Sequence, residues 1–304
     1  MSIVFGPVSS RRFGISLGID LSPDKKSCNF DCVYCELTAS KTVDKISNPI
    51  SVDEILKEVS AVLKIHKDID VITLTANGEP TLYPNLKELI YRLNLIKDST
   101  KLLILSNGTG VLNSKIYDAI LALDIVKFSL DSAIQKTFRK IDRGDKNFIV
   151  SDLIEKMSEF RKEFRGELVL EILVVKGLND TKDEFEALNF AINKISPSRV
   201  DISTIDRPPA YPVKGVSRDT LEELANCIIN TPCVIASAKY GGTMLDFTKE
   251  ELLELSCRRP QSEIDVKNSF SESSKRNLNE LIKEGKIYEA NVGGVKFYKI
   301  SRFE

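Results

Sequence analysis

Short β-type runs alternate with amphipathic helical stretches along most of this chain, and nearly every run splits into one apolar and one polar face. Candidate strands are 15–21, 70–75, 102–106, 125–130, 168–175 and 199–204. Candidate helices lie between them, at 51–66, 84–96, 112–122, 146–164 and 180–195, with another at 217–230. A βαβα order implies a parallel sheet with crossover helices. Six such units predict an α/β fold, a partial (β/α)6 barrel of the TIM type. Ser51 ahead of Asp53 and Glu54 predicts a capped helix start, and Asp180 ahead of Asp183 and Glu184 predicts another. Gly78, Gly108 and Gly177 follow strands, where the chain must turn tightly.

Side chains on a strand alternate with a period of two, so parity assigns faces. Ile15, Leu17, Ile19 and Leu21 oppose Ser16, Gly18 and Asp20. Ile72 and Leu74 oppose Thr73, Thr75 and Asn77; Val126, Phe128 and Leu130 oppose Ile125, Lys127, Ser129 and Asp131. Leu170, Ile172 and Val174 oppose Val169, Glu171 and Leu173, and Val200 and Ile202 oppose Asp201 and Ser203. A closed eight-stranded barrel fills its interior with branched apolar side chains. A polar inner face therefore predicts an open barrel with a wet interior that holds a ligand.

After about residue 245 the pattern changes. Helical stretches at 249–257, 263–270 and 271–284 precede two β-type runs separated by Gly293-Gly294, the mark of a hairpin turn. Three helices and a terminal hairpin predict a winged-helix domain over 246–304, after a barrel over 1–245. Residues 249–304 hold eleven lysines and arginines against ten acids, and Lys275-Arg276 is the basic pair on the third helix of the tail. The whole chain has 43 basic and 44 acidic residues, net charge -1, which excludes a uniformly basic nucleic-acid binder. The N-terminal MSIVFGPVSSRRFG has no apolar core of signal-peptide length, and the longest apolar stretch, 168–175, is far too short to span a bilayer. A cytoplasmic protein without membrane contact is expected.

Residues 28–35 read Cys-Asn-Phe-Asp-Cys-Val-Tyr-Cys. In a chain expected in the cytoplasm, clustered cysteines point to metal or catalysis. Three close thiolates can hold three irons of a [4Fe–4S] cluster and leave the fourth open to an exchangeable ligand. Alone, the spacing also fits unconnected buried thiols, or a zinc site short of a fourth ligand. His66 is the one histidine, which excludes multi-histidine metal sites.

The chain resembles radical S-adenosylmethionine (SAM) enzymes. The CxxxCxxC loop stands where that superfamily places it, with Tyr34 in the aromatic slot before the third cysteine. Asn77-Gly78-Glu79-Pro80 is similar to the family's GGEP element, with Asn77 in place of its first glycine. Ser106-Asn107-Gly108 and Phe128-Ser129-Leu130-Asp131 are also family-like. Within the superfamily, the opening GPVSSRRFGISLGIDL and the later TIDRPPAYPV resemble iron–sulfur oxidoreductases grouped with the tRNA wyosine (4-demethylwyosine) synthase. That synthase carries a second cluster on N-terminal cysteines, whereas this chain has no cysteine before Cys28.

The resemblance implies that Cys28, Cys32 and Cys35 anchor a [4Fe–4S] cluster, and that SAM chelates the open iron. One electron, from a flavodoxin- or ferredoxin-type donor, then cleaves SAM to a 5′-deoxyadenosyl radical that takes a substrate hydrogen. It implies SAM contacts from Tyr34, Gly78, Glu79, Asn107, Ser129 and Asp131. Candidate catalytic residues are Arg207, Lys127 and Glu171; Lys127 could bind the SAM carboxylate, or pair with Asp20 or Glu171. Arg11, Arg12 and Arg143 are further anchors for an anionic substrate. Cys227, Cys233 and Cys257 are spaced irregularly and are expected to be plain thiols. The winged-helix domain would contact an RNA or protein substrate. A peptide- or protein-modifying radical enzyme, and an iron–sulfur regulator that reads DNA, are the competing readings.

Overall fold

The computed structural model describes residues 3–10, 12–235, 244–258, 260–292 and 295–300. Eight strands form one sheet in chain order: β1 (Val4–Ser10), β2 (Gly14–Asp20), β3 (Val71–Thr75), β4 (Lys101–Ser106), β5 (Ile125–Ser129), β6 (Glu167–Val174), β7 (Arg199–Thr204) and β8 (Cys233–Ile235). The strands β2 to β8 pair in parallel, whereas β1 pairs antiparallel to β2. The six expected parallel strands are thus β2 to β7. The sheet adds an N-terminal edge strand, which the sequence reading did not contain, and the short β8. Among the described residues the end strands β1 and β8 do not pair, so the sheet is open.

Seven helices connect the strands: α1 (Val52–Ile65), α2 (Leu86–Ile96), α3 (Ser114–Ile120), α4 (Gln135–Ile141), α5 (Val150–Glu163), α6 (Lys182–Ile195) and α7 (Arg218–Ala225). Ser51 starts α1 with a full capping box to Glu54. At α6 the cap is Thr181, whose hydroxyl accepts from Glu184 N, and Asp180 instead accepts from Gly177 N at 2.8 Å. The stretch expected as one helix from 146 begins at Val150, and α4 before it was not foreseen. Gly78, Gly108 and Gly177 all take positive φ.

Leu17, Ile19, Ile72, Leu74, Ile104, Val126, Phe128, Leu170, Ile172 and Ile202 face the helices in one large buried core with Ile55, Leu89, Phe160 and Phe185. The opposite face begins with a small apolar layer, Val71, Leu103, Ile125 and Val169 with Phe13 against it. Beside that layer lies a network of charge. Lys127 sits 2.8 Å from Glu171 and 3.1 Å from Asp201; Arg12 lies 3.1 Å and 3.0 Å from the same two carboxylates. Arg199 joins Asp201 at 3.0 Å and also meets Glu167. Three cations face three anions, so neither sign is buried in excess. Asp20, the other proposed partner of Lys127, instead accepts from Ser22 N and Asn77 N.

The C-terminal residues form a second, separate apolar cluster. Its elements are α8 (Lys249–Arg258), β9 (Gln261–Ser262), α9 (Glu263–Ser269), α10 (Glu272–Lys283), β10 (Ile287–Val292) and β11 (Val295–Ile300), with sheet order β10-β11-β9. Leu252, Leu255, Val266, Phe270, Leu278, Leu281 and Ile287 build its core. Ile264, on α9, is exposed. Gly293-Gly294, the expected hairpin turn, lies outside the described residues, as does Arg11. The cluster touches the large sheet through Val8 of β1, which stands opposite Ser16 near the start of β2. Among the described residues no helix is long and apolar enough to cross a membrane.

Lys127 is 5% exposed and Asp201 fully buried, so removing the ammonium leaves Asp201 and Glu171 one cation short. Lys127→Met is expected to destabilise the fold by about 3 kcal/mol, the lower end for breaking a buried pair, because two arginines remain on Asp201. Lys127→Met combined with Glu171→Leu should cost less than the sum of the single changes in denaturant unfolding. Strict additivity would show that the two side chains do not interact.

Candidate cofactor site

The cysteine loop leaves β2 and crosses the carboxyl end of β3. Ser27 N donates to Asn77 O at 2.8 Å, and Glu79 N donates back to Ser27 O at 2.8 Å. This crossing requires Gly78. Its φ is +136°, and a Cβ there would stand 1.9 Å from Ser27 O. Two backbones at that distance leave no room for a side chain. The next turn is fixed by Glu79, 2% exposed, whose carboxylate accepts from Thr81 N (3.0 Å), Thr81 Oγ1 (2.6 Å), Ser106 Oγ (2.7 Å) and Asn107 N (2.7 Å). A carboxylate with this many donors binds β3 to β4 end to end.

Asn107, at the end of β4, donates from Nδ2 to Asn29 Oδ1 at 2.7 Å, and Asn29 Nδ2 donates to Thr109 Oγ1 at 2.8 Å. Asn29 lies inside the cysteine motif, so it ties the loop to β4. Neither Asn29 nor Thr109 was singled out in the sequence; the motif position of Asn29 was the available signal. On the other flank, Asp31 N and Val33 N donate to Asp142 O (3.1 Å) and Ile141 O (2.8 Å) at the end of α4.

Cys28, Cys32 and Cys35 line one cavity of about 220 Å³. Its wall also includes Tyr34, Gly78, Glu79, Asn107 and Ser129, and Lys127 and Glu171 line it as well. Five of the six expected SAM contacts therefore share a cavity with the thiols. Asp131 does not. It is 1% exposed and accepts from Tyr34 Oη at 2.6 Å and Leu173 N at 2.7 Å, which places it behind Tyr34. Arg207 does not line the cavity either; it pairs with Glu36 at 3.0 Å. Arg143 stacks over the Tyr211 ring at 4.4 Å and lies 3.7 Å from Asp31. Arg12 belongs to the interior charge network.

The thiols are held neutral. Burial pushes Cys28 up to about 12, and the Glu79 carboxylate adds to the push. Cys32 rises well above the ordinary thiol value, first by burial, then by Asp142 and Asp131. Burial also raises Cys35, with the Lys26 ammonium acting against it. Behind them, burial raises Asp131 to about 6 and Asp142 well above its ordinary value. Thiols in this state take up metal by exchanging protons for cations.

Among the described residues, no three cysteine, histidine or acidic side chains are placed to hold a single metal ion. Three thiols around a common cavity instead fit a polynuclear iron–sulfur cluster with one corner left to a non-protein ligand. Cys227 and Cys233 are half-buried at the edge of the large core, and Cys257 is exposed.

Comparison with known proteins agrees with this geometry. The profile of the radical SAM superfamily matches residues 25–190. A UPF0026 protein of Helicobacter pylori strain J99 is 38% identical, over 98% of this chain and 97% of that one. Among solved structures, a radical SAM methyltransferase of Sphaerobacter thermophilus superposes with a TM-score of 0.59 at 14% identity, covering 73% of this chain and 66% of its own. SuiB of Streptococcus suis, solved with its precursor peptide SuiA, superposes with a TM-score of 0.57 at 14% identity, over 72% of this chain and 48% of its own.

Gly78→Ala should abolish iron retention as fully as Cys32→Ala, since the added methyl forces the Ser27 crossing apart. Replacing Cys227, Cys233 and Cys257 together with serine should leave the iron count unchanged; a fall by half would reveal a second cluster. Iron uptake from a fixed supply of iron and sulfide should accelerate from neutral to mildly alkaline pH, because raised thiol values mean that protons must leave first. A flat profile would contradict the protonated state of the free site.

Proposed function

Because the chain belongs to the radical SAM superfamily, whose enzymes use a [4Fe–4S] cluster and SAM, we propose that Cys28, Cys32 and Cys35 hold that cluster in the cavity they share with Gly78, Glu79 and Asn107. The observation that carries this reading is the common cavity itself. When bound, the cluster supplies the electron that splits the SAM sulfonium into methionine and a 5′-deoxyadenosyl radical able to take a hydrogen atom. A flavodoxin- or ferredoxin-type protein would deliver that electron.

The chain's own residues prepare the place. The Ser27 crossing uses Asn77 O and Glu79 N and fixes Gly78 between them, so that Gly78's own main-chain groups are the ones left for the methionine end of SAM. Tyr34, Asn107 and Ser129 provide the polar wall for the nucleoside end. Glu79 acts by shaping this wall, since its donors all come from the protein. Lys127 and Glu171 form the cavity's charged floor, where a substrate group meets a carboxylate already held by two cations. The apolar layer beneath them keeps bulk water out from below.

We read 1–245 as the partial (β/α)6 barrel and 246–304 as a winged-helix unit that presents the macromolecular substrate. Likeness of two segments to the wyosine-synthase group favours RNA. A second reading, a peptide or protein substrate, has support from charge. Lys249, Lys275, Lys286 and Lys296 in the C-terminal unit each sit within 4 Å of a glutamate, which offsets part of the attraction of these four for phosphates. SuiB, with its bound peptide, is a structural precedent for that class.

Reconstituted protein given a strong reductant and SAM should release methionine and 5′-deoxyadenosine, and Cys32→Ala should release neither. Asn107→Ala should weaken SAM binding while iron content stays intact. Failure of cleavage across several reductants would sink the reading. Adding total cellular RNA and, separately, a cellular protein fraction would separate the substrate classes, since the right one should accelerate 5′-deoxyadenosine formation.

A further inference from the structure

The segment that follows β7 does not enter the cavity. None of residues 205–216 lines it. They lie instead against the cysteine loop, and three independent contacts join the two. Ala210 N donates to Cys35 O at 2.8 Å. Arg207 Nη1 donates to Glu36 Oε2 at 3.0 Å. Tyr211 Oη donates to the Asp31 carboxylate, and the Arg143 guanidinium covers the Tyr211 ring at 4.4 Å. An apolar patch backs these bonds: Val33 and Tyr34 of the loop pack with Ile205, Tyr211 and Val213 of the segment.

Both ends of the segment are tied down. Lys176 N donates to Lys214 O at 2.9 Å, and Val216 N donates to Thr204 Oγ1 at 2.9 Å. Pro208, Pro209 and Pro212 restrict φ between those ties, so little conformational freedom remains to be lost on holding the loop. Arg207 is 13% exposed on its side chain and is already spent on Glu36, which sits next to Cys35. This is the environment of a structural brace, and a free anion would have to displace Glu36 to reach the guanidinium.

We propose that residues 205–213 are a clasp on the cysteine loop, and that Arg207 and Tyr211 are positioning residues that set how firmly the chain retains its cluster. The Cys28 end of the loop is held by the β3 crossing and its middle by α4, whereas the Cys35 end is held by this clasp. Release of the clasp would free one ligand of three and admit water or oxygen at that corner. The proposal rests on the cluster assignment above, and its test reads iron retention, which is measured apart from SAM cleavage.

The experiment uses reconstituted full-length protein, with transfer of iron to bathophenanthroline and bleaching of the visible absorbance in air as readouts. Arg207→Ala and Tyr211→Phe should each take up the full iron complement yet lose it about threefold faster, as expected for one partly exposed polar contact. Arg207→Lys should recover part of the loss, and the exchanged pair Glu36→Arg with Arg207→Glu should recover more. Thermal unfolding of the iron-free proteins should stay near wild type. Wild-type release rates in both single variants would overturn the clasp, and so would a loss of iron that merely follows a lower melting temperature. A chain that takes up no iron in any form would overturn the cluster assignment instead.

Discussion

One backbone crossing supports the whole site. Ser27 is bonded to Asn77 and Glu79 across Gly78, and that bridge sets where the cysteine loop begins relative to β3. Everything beyond it follows by short steps. Glu79 fixes β4 through Ser106 and Asn107, Asn107 holds Asn29, and Asn29 lies inside the motif. The loop, the ends of two strands and the cavity between them are therefore one rigid unit. Its rigidity comes from main-chain bonds and one heavily donated carboxylate, none of which is a metal ligand.

The interior is a compromise between stability and use. A barrel whose inner face were wholly apolar would be easier to stabilise and would hold nothing. Here a thin apolar layer lies beside a balanced network in which Arg12, Lys127 and Arg199 face Glu171, Asp201 and Glu167. The buried charges are tolerable because each has a partner of opposite sign. Glu171 reaches the cavity from that network, so the floor presents a carboxylate whose charge is already largely compensated.

The two segments that resemble a narrower group within the superfamily both make contacts inside the fold. The opening segment supplies the edge strand β1 and brings Arg12 into the interior network. The later DRPPAYP segment lies on the cysteine loop from outside the cavity. Arginines in both had been natural candidates for anion binding. For Arg12 and Arg207, the partners Glu171, Asp201 and Glu36 account for the charge without a ligand.

Much of this was legible in the linear pattern. Parity of two separated the helix-facing side chains from the interior ones, and it put Lys127 beside Glu171 because both point inward from neighbouring strands. The spacing of Cys28, Cys32 and Cys35 marked the loop whose three thiols share the cavity, since a short loop can converge only residues a few positions apart. What the sequence could not declare were contacts between residues far apart in it. Asp142 reaches Cys32 across 110 positions and Asp131 turns away behind Tyr34, while Arg207 finds Glu36 across 171. No local propensity carries that information. Such pairs are decided by how strand ends and their loops come to rest on one another, and only the folded chain, by closing those distances, determines which polar groups meet a ligand and which meet each other.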